Sequence, residues 1–207
     1  MRNIFIHGLG QDSKSWNEVR DNLLTTNIEY IDFTANDTVL DYSVLYENLK
    51  EVCAKDDSKI NLVGLSLGGV LALNYAIDFP NKVNSIVIVN GQYKMPRFLL
   101  KLQSVIFKFL PATKFSKTGF SKENFINILK SMENINFTND LSKVETKSLI
   151  IFGEKDTFNK KAAKEMNSIL LNSTLVMIEK AGHVINEENP RKLAEVINHF
   201  YKENKIA

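Results

Sequence analysis

The chain has 207 residues, 44% of them hydrophobic and 24% charged, with a formal net charge of +2, a length and balance that suit one folded domain and exclude a disordered or strongly basic chain. It contains no run of about 18 apolar residues and no charged and apolar leader before its first strand, so neither a membrane span nor a signal peptide is expected, and the cytoplasm is the expected compartment. A lone cysteine and three scattered histidines exclude an internal disulfide and a metal-ligand cluster, and no phosphate-cradling glycine loop occurs.

In chain order, short apolar runs alternate with helical periodicities. Strands are expected at 2–6, 28–33, 59–63, 83–89, 147–152 and 174–178, and helices at 14–25, 41–55, 66–78, 160–170 and 189–203. That alternation predicts an α/β fold, a doubly wound, mostly parallel sheet with helices on both faces. The first strand runs into His7-Gly8-Leu9-Gly10, and Trp16 beyond it reads as packing the first helix onto the sheet. Asp41 and either Asn186 or Asn189 read as helix starts, with Pro190 suited to a first helical position. Cys53 falls on the apolar side of its helix with Leu45, Leu49 and Val52, so core packing is its expected role.

The third strand breaks into Gly64-Leu65-Ser66-Leu67-Gly68-Gly69 and resumes as a helix. Strand, sharp turn and helix are the context in which Gly-x-Ser-x-Gly marks a nucleophilic serine. A serine pushed out of such a turn crowds the positions two before and two after it, and those are Gly64 and Gly68. The helix that follows offers free N–H groups and a positive dipole end to an oxyanion beside Ser66. Ser66 needs a base, and His183, in a loop at the end of the strand 174–178, is the candidate. His199 sits in a helical run, and His7 reads as a brace for its own loop. The acid should lie between serine and base in the chain, and the loop Gly153-Glu154-Lys155-Asp156 provides it. Asp156 is the expected acid, with Glu154 as the alternative.

These pieces resemble an α/β-hydrolase of the esterase and lipase kind. The likeness rests on His7-Gly8-Leu9-Gly10 with Trp16, the Ser66 motif, Phe152-Gly153-Glu154-Lys155-Asp156, and Gly182-His183 followed by Glu188 and Pro190. The resemblance implies that Leu9 and Leu67 supply the two oxyanion-hole N–H groups. It also implies that the first two strands of that fold are missing here, leaving six in the order 2-1-3-4-5-6 with the strand at 28–33 as an open edge. A core of residues 1–90 and 147–207 would carry a helical lid insertion at 91–146.

Within that insertion, Phe98, Leu99, Leu102, Val105, Ile106 and Phe109 recur at helical spacing. Phe98, Leu102 and Phe109 are the candidate substrate contacts, and an apolar lid favours an acyl or aromatic group. Residues 91–130 also hold eight basic side chains against Glu123 alone. Such a rim could steer an anionic substrate or an acidic carrier protein to the site; nucleic acid is not an expected partner. The reading that results is a cofactor-free and metal-free serine hydrolase acting on a carboxylic ester or thioester. The alternatives are an acyl-carrier thioesterase or acyltransferase on the same triad, a peptidase using Glu123 or Glu133, and a non-catalytic ligand-binding protein of this fold.

Overall fold

Apolar side chains alternate along the strands and bury the sheet on both faces. The computed structural model of the chain describes residues 1–33, 39–97, 100, 110–115 and 120–206. Six strands are present among them: β1 (Arg2–Ile6), β2 (Ile28–Ile31), β3 (Ile60–Leu65), β4 (Val83–Val89), β5 (Lys147–Gly153) and β6 (Ser173–Ile178). They pair in the order β2-β1-β3-β4-β5-β6, and every pairing is parallel. The period of two sends Ile4, Ile6, Leu62 and Ile88 into one core layer, and Phe5, Val63, Leu65 and Val89 into the other.

The first layer is covered by α2 (Tyr42–Cys53), α3 (Leu67–Asp78), α4 (Lys122–Met132) and α5 (Thr157–Ile169). The second lies under α1 (Asn17–Arg20), the single turn α6 (Ile185–Glu188) and α7 (Pro190–Glu203). Because all strands run the same way, the loops after β1, β3, β4, β5 and β6 open at one edge of the sheet, where ligands bind in such folds. At the opposite end a buried polar ladder ties three strands together. Asn61 Nδ2 donates to Asn3 Oδ1 at 3.0 Å, and Asn61 Oδ1 accepts from Ser85 Oγ at 2.8 Å. Trp16 is fully buried edge-on against Phe5, and Cys53 is buried, its thiol pushed up to about 12 by burial.

Several boundaries differ from the sequence reading. The second strand ends at Ile31 because its partner β1 ends opposite it at Ile6. Conversely, β3 runs on to Leu65 because β4 continues alongside to Val89. The expected helix 14–25 is instead a 3₁₀ turn (Ser13–Trp16) followed by one turn of α1. The N–H groups of Asn22 and Leu23 close back three residues, onto Val19 and Arg20, and the helix stops there. Helix α4 falls inside the expected helical insertion at 91–146, although no helix with these bounds is among the expected ones. Its signal is nonetheless present, because Ser121 caps it by accepting Asn124 N–H at 3.1 Å and Phe125, Ile128, Leu129 and Met132 share one face. The expected C-terminal helix stands at Pro190–Glu203, and a separate turn, α6, precedes it; Asn189, at φ −148° and ψ 59°, breaks the helical backbone between the two before Pro190. Among the described residues no helix is long and apolar enough to cross a membrane.

Candidate active site

Ser66 sits between β3 and α3 with φ 52° and ψ −110°, a backbone conformation that a side-chain-bearing residue rarely holds. The surroundings enforce it. Ser66 N–H donates to Val89 O at 2.8 Å, and Ser66 O accepts Val70 N–H at 3.1 Å, the first bond of α3. A Cβ on Gly64 would lie 2.2 Å from the carbonyl carbon and oxygen of Gly68, and one on Gly68 would lie 2.2 Å from Ile6 O. The turn therefore admits no side chain two residues before or after Ser66, and the half-buried serine hydroxyl is its tip.

Two further loops bring partners to that hydroxyl. Ser66 Oγ lies 3.0 Å from His183 Nε2, and His183 Nδ1 lies 2.7 Å from Asp156 Oδ2. Asp156 is 7% exposed, and its carboxylate is held on every side. Oδ1 accepts Asn159 N–H at 3.1 Å, capping α5, while Oδ2 also accepts from Asn159 Nδ2 at 2.7 Å. Burial alone would favour the neutral acid, but the hydrogen bonds from His183 and Asn159 outweigh it and hold the carboxyl below its ordinary value. An ionised carboxylate only accepts, so His183 Nδ1 carries the proton and Nε2 presents its lone pair to the serine hydroxyl. The 3.2 Å approach of Asn159 Nδ2 to His183 Nδ1 is then a meeting of two donors that share Asp156 Oδ2.

Glu154, the alternative acid, is engaged elsewhere: its Oε2 accepts Lys180 N–H at 2.8 Å. Glu188 stabilises the base loop by accepting the N–H groups of Gly182 and Val184. His199 lies on α7, away from the site. His7 is buried beneath the loop after β1, with Nδ1 donating to Gly8 O at 2.8 Å, and burial lowers its affinity for a second proton. Gly8 N–H donates to Gln11 Oε1 at 3.1 Å, and Gln11 Nε2 reaches Asn186 and Glu187, so Gln11 joins this loop to α6.

Leu67 opens α3, so its N–H has no acceptor within the helix. No hydrogen-bond partner for the N–H of Leu67 or of Leu9 occurs among the described residues. Leu9, Ser66, Leu67, Asp156 and His183 all border one cavity of about 390 Å³. Its wall is mostly apolar, with Val70, Met95, Phe125, Leu129 and Met132, and its polar edge is formed by Asn90, Gln92 and Asn159. None of these wall residues belongs to the apolar set 98–109 that the sequence offered as substrate contacts. The i, i+4, i+7 spacing of Phe125, Leu129 and Met132 was the available signal. Phe98, Leu102 and Phe109 lie outside the described residues. Glu123 and Glu133 do not border the cavity.

Comparison with known proteins gives concordant findings. A Bacillus subtilis (strain 168) protein provisionally named 2-succinyl-6-hydroxy-2,4-cyclohexadiene-1-carboxylate synthase is 20% identical, covering 95% of this chain and 89% of its own. A pimeloyl-[acyl-carrier protein] methyl ester esterase of Wigglesworthia glossinidia brevipalpis is 28% identical over 74% of this chain, which spans 60% of that protein. Among solved structures, MenH from S. aureus superposes with a TM-score of 0.86 at 19% identity, covering 99% of this chain and 94% of its own. The family model described as alpha/beta hydrolase fold matches residues 4–114, more than half of the chain. With that match laid over a parallel sheet whose third strand turns sharply at Ser66, the chain belongs to the alpha/beta hydrolase fold family.

Proposed function

We propose that this protein is a serine hydrolase that cleaves a carboxylic ester or thioester bearing a small to medium apolar acyl group. The observation that carries the reading is the unbroken chain from Ser66 Oγ through His183 to Asp156, at 3.0 and 2.7 Å, beside a mainly apolar cavity. Ser66 Oγ attacks the acyl carbonyl carbon while its proton passes to His183 Nε2. Negative charge moves to the carbonyl oxygen, where the N–H groups of Leu9 and Leu67 receive it. The tetrahedral adduct then expels the alcohol or thiol, which takes the proton from His183, and the acyl group stays on Ser66. His183 next removes a proton from water, the resulting attack releases the carboxylic acid, and Ser66 regains its proton. Asp156 holds the imidazole in the required tautomer throughout and stabilises its charged form.

A second reading, an ester carried on an acyl-carrier protein, draws on the name of the Wigglesworthia relative and uses the same residues. The test is a fluorophosphonate probe together with p-nitrophenyl esters from acetate to laurate, on wild type and Ser66→Ala. Labelling and turnover by wild type alone are expected, with the chain-length optimum sizing the cavity. A folded wild type that neither labels nor turns over any ester would defeat the proposal. Preference for a carrier-bound ester over the free one would favour the second reading.

A further inference from the structure

Val89 ends β4 and Asn90 follows it, between the strand that presents Ser66 and the strand that leads to Asp156. This dipeptide touches all three site loops. Val89 O accepts Ser66 N–H at 2.8 Å, and Asn90 N–H donates to Ile151 O at 2.8 Å. The Asn90 side chain then spans the remaining gap. Its Oδ1 accepts Gly153 N–H at 3.1 Å, where the acid loop leaves β5. Its Nδ2 donates to Gly182 O at 2.9 Å and to His183 O at 2.8 Å. Those two carbonyls belong to the peptides immediately before and after His183, so the amide grips the base loop on both sides of the imidazole.

Asn90 is 2% exposed and holds φ 47°, in the left-handed region that asparagine tolerates better than most residues. Both amide hydrogens are committed to loop carbonyls, which leaves none for a substrate. Aspartate has the same shape but donates nothing; glycine accepts the backbone conformation but offers no side chain. Resting on the serine-hydrolase reading above, we infer that Asn90 is a positioning residue that sets the reach of His183 toward Ser66. It makes no contact with the reacting atoms. It acts through the His183 backbone, keeping base loop, acid loop and nucleophile in one frame so that Nε2 stays 3.0 Å from Oγ.

Asn90→Gly and Asn90→Asp test this, read by ester kinetics, by the rate of fluorophosphonate labelling, by thermal unfolding and by the low-field NMR signal of the His183 Nδ1 proton. Loss of a supporting contact of this kind typically costs about 10- to 100-fold. Folded Asn90→Gly is expected to lose that much in kcat and in labelling rate, with KM changed less than about threefold and the imidazole signal shifted or broadened. Asn90→Asp, with a carboxylate facing two carbonyl oxygens, is expected to fall at least as far. A kcat within about twofold of wild type in either folded variant overturns the inference, as does an unmoved imidazole signal. If Asn90→Gly does not fold, Asn90→Asp decides by the same measures. A wild type without esterase activity defeats the serine-hydrolase reading instead, while the imidazole signal still reports whether Asn90 holds His183.

Discussion

At Asp156 one carboxylate serves both a helix and a histidine, and the two duties can be separated by a single atom. Asparagine caps a helix about as well as aspartate, so Asp156→Asn keeps the start of α5. It cannot accept the His183 Nδ1 proton at its amide nitrogen, so the imidazole loses the tautomer that the proposed mechanism needs. The expected result is a fall in kcat on the order of a thousandfold or more with little change in melting temperature. Equal losses of activity and stability would contradict it. Gly64 makes a contrasting case, because a Cβ there meets backbone rather than a movable side chain, 2.2 Å from the Gly68 carbonyl. Gly64→Ala is expected to destabilise the fold by about 3 kcal/mol or more, measured by urea denaturation, since neither strand nor helix can yield. The sequence favours Asp156 over Glu154 but does not show the geometry that separates them. The two acids share one short loop, and only the start of α5 turns Asp156 inward while Glu154 ties down Lys180.

Helices and strands are joined at this scale by polar contacts that periodicity does not register. Asn61 on β3 holds Asn3 on β1 and Ser85 beyond β4's start, all within the buried sheet. Asn61→Ala would strand those partners without water. The expected cost is roughly 1–3 kcal/mol, seen as a lower urea midpoint with an unchanged slope, and unaltered stability would show that the ladder is dispensable. Helix α4 is fastened to the N-terminal end of α2 in a similar way, with Asn124 Oδ1 accepting Leu40 N–H and Ser131 Oγ accepting Tyr42 N–H, both within 2.9 Å. Those bonds set the wall made by Phe125, Leu129 and Met132 against the site.

For the whole molecule, buried ionisable groups make stability depend on pH. Burial lowers the His7 pKa from its ordinary 6.5, so below about pH 6.5 the unfolded chain binds a proton there that the folded chain resists. Stability must then fall as pH falls, by at most about 1.4 kcal/mol per pH unit for this one group. The lowered Asp156 carboxyl acts in the same direction, but only as pH drops below its ordinary 3.8. Urea midpoints measured from pH 7.5 to 5 should therefore decline more steeply for wild type than for His7→Asn. Parallel declines would show that the dependence arises elsewhere.

What the sequence determined by itself is local and directional. Apolar runs alternating with helical periods required a parallel sheet covered on both faces. Gly64, Ser66 and Gly68 required a turn with no room for side chains at the two glycine positions, and chain order placed the candidate acid before the candidate base. Such features are legible because each depends on neighbouring residues or on a period of two or 3.6. Tertiary structure decided what depends on residues far apart in the chain: where β2 stops, which carboxylate faces His183, and which apolar side chains wall the cavity. Asn90 is the clearest instance. Followed by a glycine at a strand end, it reads as an ordinary turn residue, and its three side-chain partners lie between 63 and 93 positions further along the chain. Only the meeting of three loops at one sheet edge gives that amide its work.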